Sequence, residues 1–176
     1  MIRLFAGIAL PEDIRTRLEM ICAGVRDARW TAPENLHLTL RFIGEVPEPA
    51  VEDIVPALDR IAFDPFDLFL DGVGHFETRG RVRTLWAGLA GEPALAELQS
   101  RIEAALRRTG CAPETRNFKP HVTLARLKGA RSDAVQGWIA ANSLFRAGPF
   151  RVGEFVLFES RLGGEGPAYF PIAEFP

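Results

Sequence analysis

The chain carries one sequence pattern twice, and that repetition limits what it can fold into more than any other feature. Residues 4–9 (LFAGIA) return at 85–90 (LWAGLA), an offset of 81. Ile14, Ile21 and Val25, at helical spacing, keep the same offset to Leu95, Ile102 and Leu106. His37-Leu38-Thr39-Leu40 returns as His121-Val122-Thr123-Leu124 at an offset of 84. Pro65-Phe66 returns as Pro149-Phe150 at the same offset, and Phe76-Glu77-Thr78-Arg79 returns as Phe158-Glu159-Ser160-Arg161 at an offset of 82. Five matches in one order, drifting by three residues, describe an internal duplication with copies at about 2–80 and 83–162.

Each copy reads strand, helix, strand, helix, strand. In the first, Ile2–Leu10 is an apolar strand, and Pro11–Val25 is a helix with proline at its start and acids in its first turn. His37–Phe42 alternates as a strand, Glu48–Ile61 is a helix that Pro56 should kink, and Phe66–Val73 alternates again. The second copy predicts strands at Thr84–Leu89, Pro120–Leu127 and Phe150–Phe158, and helices at Pro93–Arg108 and Ser132–Ala140. Ala168–Phe175 adds an edge strand, marked as such by Pro171. The expected architecture is α+β, a bilobal internal duplication with two antiparallel sheets, helices on their outer sides and a central cleft. Residues 1–176 form a single domain, and Gly163–Gly166 is the expected mobile surface loop.

Composition narrows the function. A net charge of −2 argues against a long electrostatic grip on nucleic acid, although a basic cleft can hide inside a neutral total. Cys22 and Cys111 belong to no paired motif, which speaks against a disulfide framework or a thiolate metal site. The N-terminus lacks a secretory pattern and no stretch is apolar enough to span a membrane, so the expectation is a cytoplasmic monomer.

Two of the three histidines occupy equivalent places in the duplication. Strand alternation puts His37 with Thr39, and His121 with Thr123, on the face opposite their apolar neighbours. If the copies pack about an approximate two-fold axis, both pairs face one cleft. Two imidazoles titrating near pH 6.5 can hold one proton between them, one as base and one as acid, while the threonine hydroxyls donate to phosphate oxygens. No cluster of ligating side chains calls for a metal or another cofactor. A lone His-x-Thr would be a surface or structural feature; two in register point to chemistry on a phosphodiester.

The segments HLTLRFIG (37–44) and FKPHVTLAR (118–126) resemble the paired HxTx motifs of the 2H phosphoesterase superfamily. Within it the chain is similar to the RNA 2′,3′-cyclic phosphodiesterases, also called 2′-5′ RNA ligases, over almost its whole length. The resemblance implies a bilobal fold and hydrolysis of a 2′,3′-cyclic phosphate, on an RNA 3′ end or a nucleotide, to a 2′-phosphomonoester. It further implies that His37 is the proton donor and His121 the acceptor. The near-symmetric motifs do not by themselves assign those two roles.

Other residues are candidates on weaker grounds. Arg126 matches a family position associated with the phosphate, yet strict alternation from His121 puts Ala125 on the cleft face, so Arg126 needs a bulge or a reach around the strand end. Arg41 shares the phase of His37 and is a second candidate for the phosphate, or else a solvated strand-end residue. Phe42 and Phe118 could stack a base, while phase assigns Phe42 to the core. His75 has no equivalent in the second copy and reads as a rim residue. The repeated FETR and FESR read as strand-to-turn closures with surface Glu–Arg pairs. Three rival readings stand beside hydrolysis of an RNA end: 2′-5′ ligation, a phosphodiesterase for a small cyclic nucleotide, and a non-catalytic RNA-end binder.

Overall fold

Alternating apolar positions build the strands of the computed structural model, which describes residues 1–164 and 166–176. In chain order the elements are β1 (Ile2–Ala9), α1 (Glu12–Glu19), β2 (Arg29–Trp30), β3 (His37–Val46), α2 (Val51–Asp59), β4 (Phe66–Thr78) and β5 (Arg81–Leu89). There follow α3 (Pro93–Arg108), β6 (His121–Ala130), α4 (Asp133–Asn142), β7 (Arg146–Val152), β8 (Phe155–Gly163) and β9 (Gly166–Phe175). The fold is α+β, and all strand pairs are antiparallel.

The helix α3 has its predicted bounds because its ends are specified locally. The Glu92 carboxylate caps Ala94 N–H at 3.0 Å, Pro93 opens the first turn, and Arg107 and Arg108 close the last. α1 stops earlier than its apolar spacing suggests. The Ile21 carbonyl accepts instead from Trp138 Nε1 at 2.8 Å, and Gly24 turns the chain at φ 88°. The predicted strand at Phe150–Phe158 is two strands, β7 and β8. β9 is an edge strand as expected. The predicted Gly163–Gly166 loop is a tight hairpin tip in which Gly163 pairs with Gly166; Glu165 lies outside the described residues.

The strands run β7-β4-β5-β6-β3-β1-β8-β9, with β2 against β6. Two four-stranded sheets meet here, and one registered pair, Leu38 with Val122, joins them into a single path. Those two residues are equivalent in the duplication, so the approximate two-fold axis passes between them. The same symmetry governs β4 and β7: Phe66 pairs with Val152, and Leu68 with Phe150.

The copies are interleaved rather than stacked. β4 of the first copy pairs with β5 of the second, and β8 of the second pairs with β1 of the first. α3 packs on β3 and α2 on α3 and β9, whereas α1 packs on β7 and α4 on β4. Each sheet therefore buries one face under helices of both copies, with Leu4, Leu38, Leu85 and Val122 at 0% exposure. The other faces, carrying the histidines, are left for the cleft.

Candidate active site

The pairing of Leu38 with Val122 fixes the geometry around the axis. Their side chains point into the core, so His37 and Thr39 on β3, and His121 and Thr123 on β6, point to the opposite face. In an antiparallel ladder with this register, Thr39 stands across from His121 and Thr123 across from His37. The two histidines are then diagonal neighbours, about 7–8 Å apart in the ladder and somewhat closer between their Cβ atoms.

Both imidazoles are held in the same way. His37 Nδ1 lies 2.7 Å from the Asn35 carbonyl, and His121 Nδ1 lies 2.6 Å from the Lys119 carbonyl. A carbonyl can only accept, so each Nδ1 carries a proton and donates it. In the neutral ring Nε2 is then the basic nitrogen. Thr39 Oγ1 lies 2.9 Å from His37 Nε2, a contact through which the hydroxyl donates to the neutral ring or accepts from the protonated one.

Aromatic rings set the environment. Phe5 lies 4.7 Å from the His37 ring and stacks on Phe158, and Tyr169 stands edge-on to His37 at 5.0 Å. On the other side Phe76 stands edge-on to His121 at 4.8 Å, with Trp86 at 6.4 Å. Phe5 and Trp86 are equivalent in the duplication, as are Phe158 and Phe76. The recurrence of FETR and FESR thus includes a wall for each histidine, which a reading as surface closures overlooks. The surface pair is real for Glu159 and Arg161, whereas Glu77 holds His75 at 2.7 Å. Gly74 has a steric reason: a Cβ there would sit 2.3 Å from the Trp86 ring, which lies across β4 at that point.

Burial lowers the pKa of both histidines from their ordinary value. For His37 the Asn35 carbonyl works against burial, while the charges of His121 and Arg126 add to the lowering. For His121 the Lys119 carbonyl opposes burial, and Arg126 again lowers the value. A histidine whose folded pKa lies below its unfolded value binds its proton more readily when unfolded. The fold therefore has its full stability above about pH 6.5, the unfolded value, and loses it as pH falls toward the folded values. We expect a lower Tm at pH 5.5 than at pH 7.5, and a smaller difference in a His37→Leu variant; equal pH dependence in the two would contradict this.

The arginines are where simple alternation fails. On β6 the pairing passes from Trp86–Thr123 to Leu85–Ala125, so Leu124 is an inserted residue and the phase reverses. Leu124 and Ala125 are both buried, and Arg126 returns to the exposed side. Its charge acts on His37, His121 and Tyr169 alike. The same slip occurs on β3, where pairing passes from Gly7–Thr39 to Ala6–Arg41. Arg41 is consequently buried, at 5% exposure, and Phe42 is exposed. The guanidinium of Arg41, expected at the phosphate, is turned to protein groups, although the residue borders a cleft. Its guanidinium bonds Glu103 on α3 and the carbonyls of Phe42 and Ala112, and Glu103 in turn accepts from Glu114 N–H at 3.1 Å. Arg41 pins the loop that leads to Lys119 and His121. The assignment of Phe42 to the core is corrected: its ring carries the Arg3 guanidinium 5.0 Å above it and helps line the same cleft. That cleft, about 470 Å³, is lined by Thr39, Arg41, Phe42, Phe76, Phe118, Lys119 and His121 among others, with His37 and Thr123 outside its lining.

Among the described residues there is no group of three or more His, Cys, Asp or Glu placed to hold a metal ion. No helix of the described chain is long and apolar enough to cross a membrane. Two histidines with protonated Nδ1 atoms and two threonines on one face, with an exposed arginine whose charge reaches both rings, form an arrangement able to exchange protons with an anionic substrate. This is the site plan of a two-histidine phosphoesterase.

The comparisons agree with that class. The family model described as LigT like Phosphoesterase matches residues 8–86 and 89–169. The chain belongs to this family of 2H phosphoesterases. It is 39% identical over 138 residues to the RNA 2′,3′-cyclic phosphodiesterase of Aeropyrum pernix, covering 77% of this chain and 78% of that protein. It is 32% identical to the protein of the same name from Archaeoglobus fulgidus, covering 95% and 96%. The crystal structure of Escherichia coli LigT complexed with 3′-AMP superposes with a TM-score of 0.82 at 29% identity, covering 99% of this chain and 97% of that one.

Proposed function

We propose that this chain hydrolyses the 2′,3′-cyclic phosphate at an RNA 3′ end to a 2′-phosphomonoester, with His37 and His121 as its acid–base pair. One observation carries the reading: each Nδ1 is committed to a backbone carbonyl, so Nε2 is the nitrogen of each ring that exchanges a proton, with Thr39 beside that of His37. The naming of the relatives as RNA 2′,3′-cyclic phosphodiesterases supports the substrate.

In the mechanism, His121 Nε2 takes a proton from water as its oxygen attacks phosphorus. The P–O3′ bond breaks, and His37 Nε2 delivers its proton to the departing 3′ oxygen. The order follows the family resemblance. The lowered pKa of His121 suits a base that must be neutral near pH 7. His37 must start protonated, and the bound phosphate anion favours that charge, opposing the lowering due to burial and Arg126. Thr39 and Thr123 donate to the equatorial oxygens, where charge spreads in the transition state, and Arg126 adds a positive field. The phosphate binds without a metal, and the whole chain acts as one domain, a cytosolic monomer.

The test is product analysis with a short RNA ending in a 2′,3′-cyclic phosphate, in EDTA. We expect a 2′-phosphate at an undiminished rate. A 3′-phosphate would reverse the leaving group, and loss of activity in EDTA would overturn the metal-free reaction. Joining to an added 5′-hydroxyl strand in preference to hydrolysis would favour the ligase reading, and binding without turnover the binding module.

A further inference from the structure

A strip of positive charge leads away from the site on the second sheet. Beyond Arg126, β6 continues with Leu127 buried, Lys128 exposed and Ala130 packed against the core. On β5, Val82 is fully buried and pairs with Ala130 beyond an irregular stretch of β6 (127–129), while Arg81 and Arg83 on either side of it are exposed. These cations are neighbours in space. Arg83 Nη1 donates to the Lys128 carbonyl at 3.1 Å. Gly129 lies against both arginines at φ 106°, where a Cβ would come 3.3 Å from the Arg83 guanidinium and 3.4 Å from Arg81 Cβ.

Arg81, Arg83, Arg126 and Lys128 make none of the ion pairs found among the described residues. Arg131, just past the strip, is paired with Asp133 at 3.4 Å, and Arg161 and Arg116 have carboxylate partners at 2.9 and 3.0 Å. In a chain of net charge −2, four exposed, neighbouring cations with no ion pair among the described residues are a local asymmetry. The strip starts at Arg126, whose charge acts on both histidines, and Arg126–Ala130 extends about 13 Å.

We infer that this strip binds the phosphates of the single RNA strand on the 5′ side of the cyclic end. The inference rests on the RNA-end reading above. A cyclic phosphate closes the 3′ ribose, so the remainder of the chain leaves through the 5′ oxygen and must lie on the cleft faces. Arg126 holds the reacting phosphate, and Lys128, Arg83 and Arg81 meet the preceding ones. The contacts are to backbone charge and carry no base preference.

The experiment compares a 2′,3′-cyclic mononucleotide with an oligoribonucleotide ending in the same nucleotide, each across a salt series. The variant combines Arg81→Gln, Arg83→Gln and Lys128→Gln, with Arg126 left in place. The control combines Arg60→Gln, Arg107→Gln and Arg108→Gln, which changes net charge equally on another surface. We expect log(kcat/KM) for the oligonucleotide to fall with log salt in the wild type and in the control. In the strip variant the slope should flatten by about 2, at about 0.7 per lost phosphate contact. At low salt its kcat/KM for the oligonucleotide should drop about tenfold or more, while the mononucleotide is hydrolysed as by the wild type. A strip variant that keeps the wild-type slope, or a control that flattens as much, would overturn the inference and leave the hydrolase reading standing. A wild type that turns over neither substrate would remove the reading itself.

Discussion

Replacing His121 by asparagine is expected to lower kcat by about 10²–10⁴-fold while KM changes little. The asparagine amide can still donate to the Lys119 carbonyl, so the backbone contact at 2.6 Å has a substitute. What disappears is Nε2, the atom that would take the proton from water. His37→Asn should cost a similar factor through loss of the acid, and the double variant much less than the product of the two, since both serve one proton cycle. Circular dichroism and Tm check that the variants fold. A folded variant with kcat within tenfold of wild type would remove that histidine from the mechanism.

The second large effect concerns stability. Arg41→Met should destabilise the fold by about 3 kcal/mol, the lower end of the range for breaking a buried pair, because Glu103 keeps some contact with water. The loss arises mainly from leaving the Glu103 carboxylate half-buried without its cation, beside the freed carbonyls of Phe42 and Ala112. Urea unfolding with an unchanged m-value measures it. Arg41→Met combined with Glu103→Leu should recover much of the loss, because the orphaned charge goes with its partner. A single variant that loses less than about 1 kcal/mol would show that the pair is a solvated surface contact.

Arg41 also shows how far the sequence can be read. Alternation is reliable only while the ladder is unbroken, and one inserted residue exchanges the two faces beyond it. His37, Thr39, His121 and Thr123 precede the slips at Leu40 and Leu124, so their common face was legible. Arg41, Phe42 and Arg126 follow them, and strict alternation puts all three on the wrong side, Arg126 reaching the exposed face only through the bulge. Neither Leu40 nor Leu124 has a glycine or proline beside it in its own strand; each slip is specified by pairing with β1 or β5, which are distant in sequence.

The duplication was legible because it is written in matched residues, and with it the α+β class and the two-fold relation of the histidines. The interleaving was not. Nothing in FETR or FESR says that each phenylalanine crosses to the other copy's sheet, since strand order is decided by long-range pairing. The aromatic walls went unrecognised for the same reason, although Phe5, Trp86, Phe76 and Phe158 all lie within the repeated segments. The early end of α1 depends on Trp138, a residue more than a hundred positions away.

The most direct measurement is kcat against pH for hydrolysis of a cyclic mononucleotide, in EDTA, by the wild type and by the two asparagine variants. Two cooperating imidazoles predict a bell for the wild type, with the acidic limb missing from His121→Asn and the basic limb missing from His37→Asn. A wild-type profile with one limb, or a variant that retains both, would mean that the proton is not passed between these two rings.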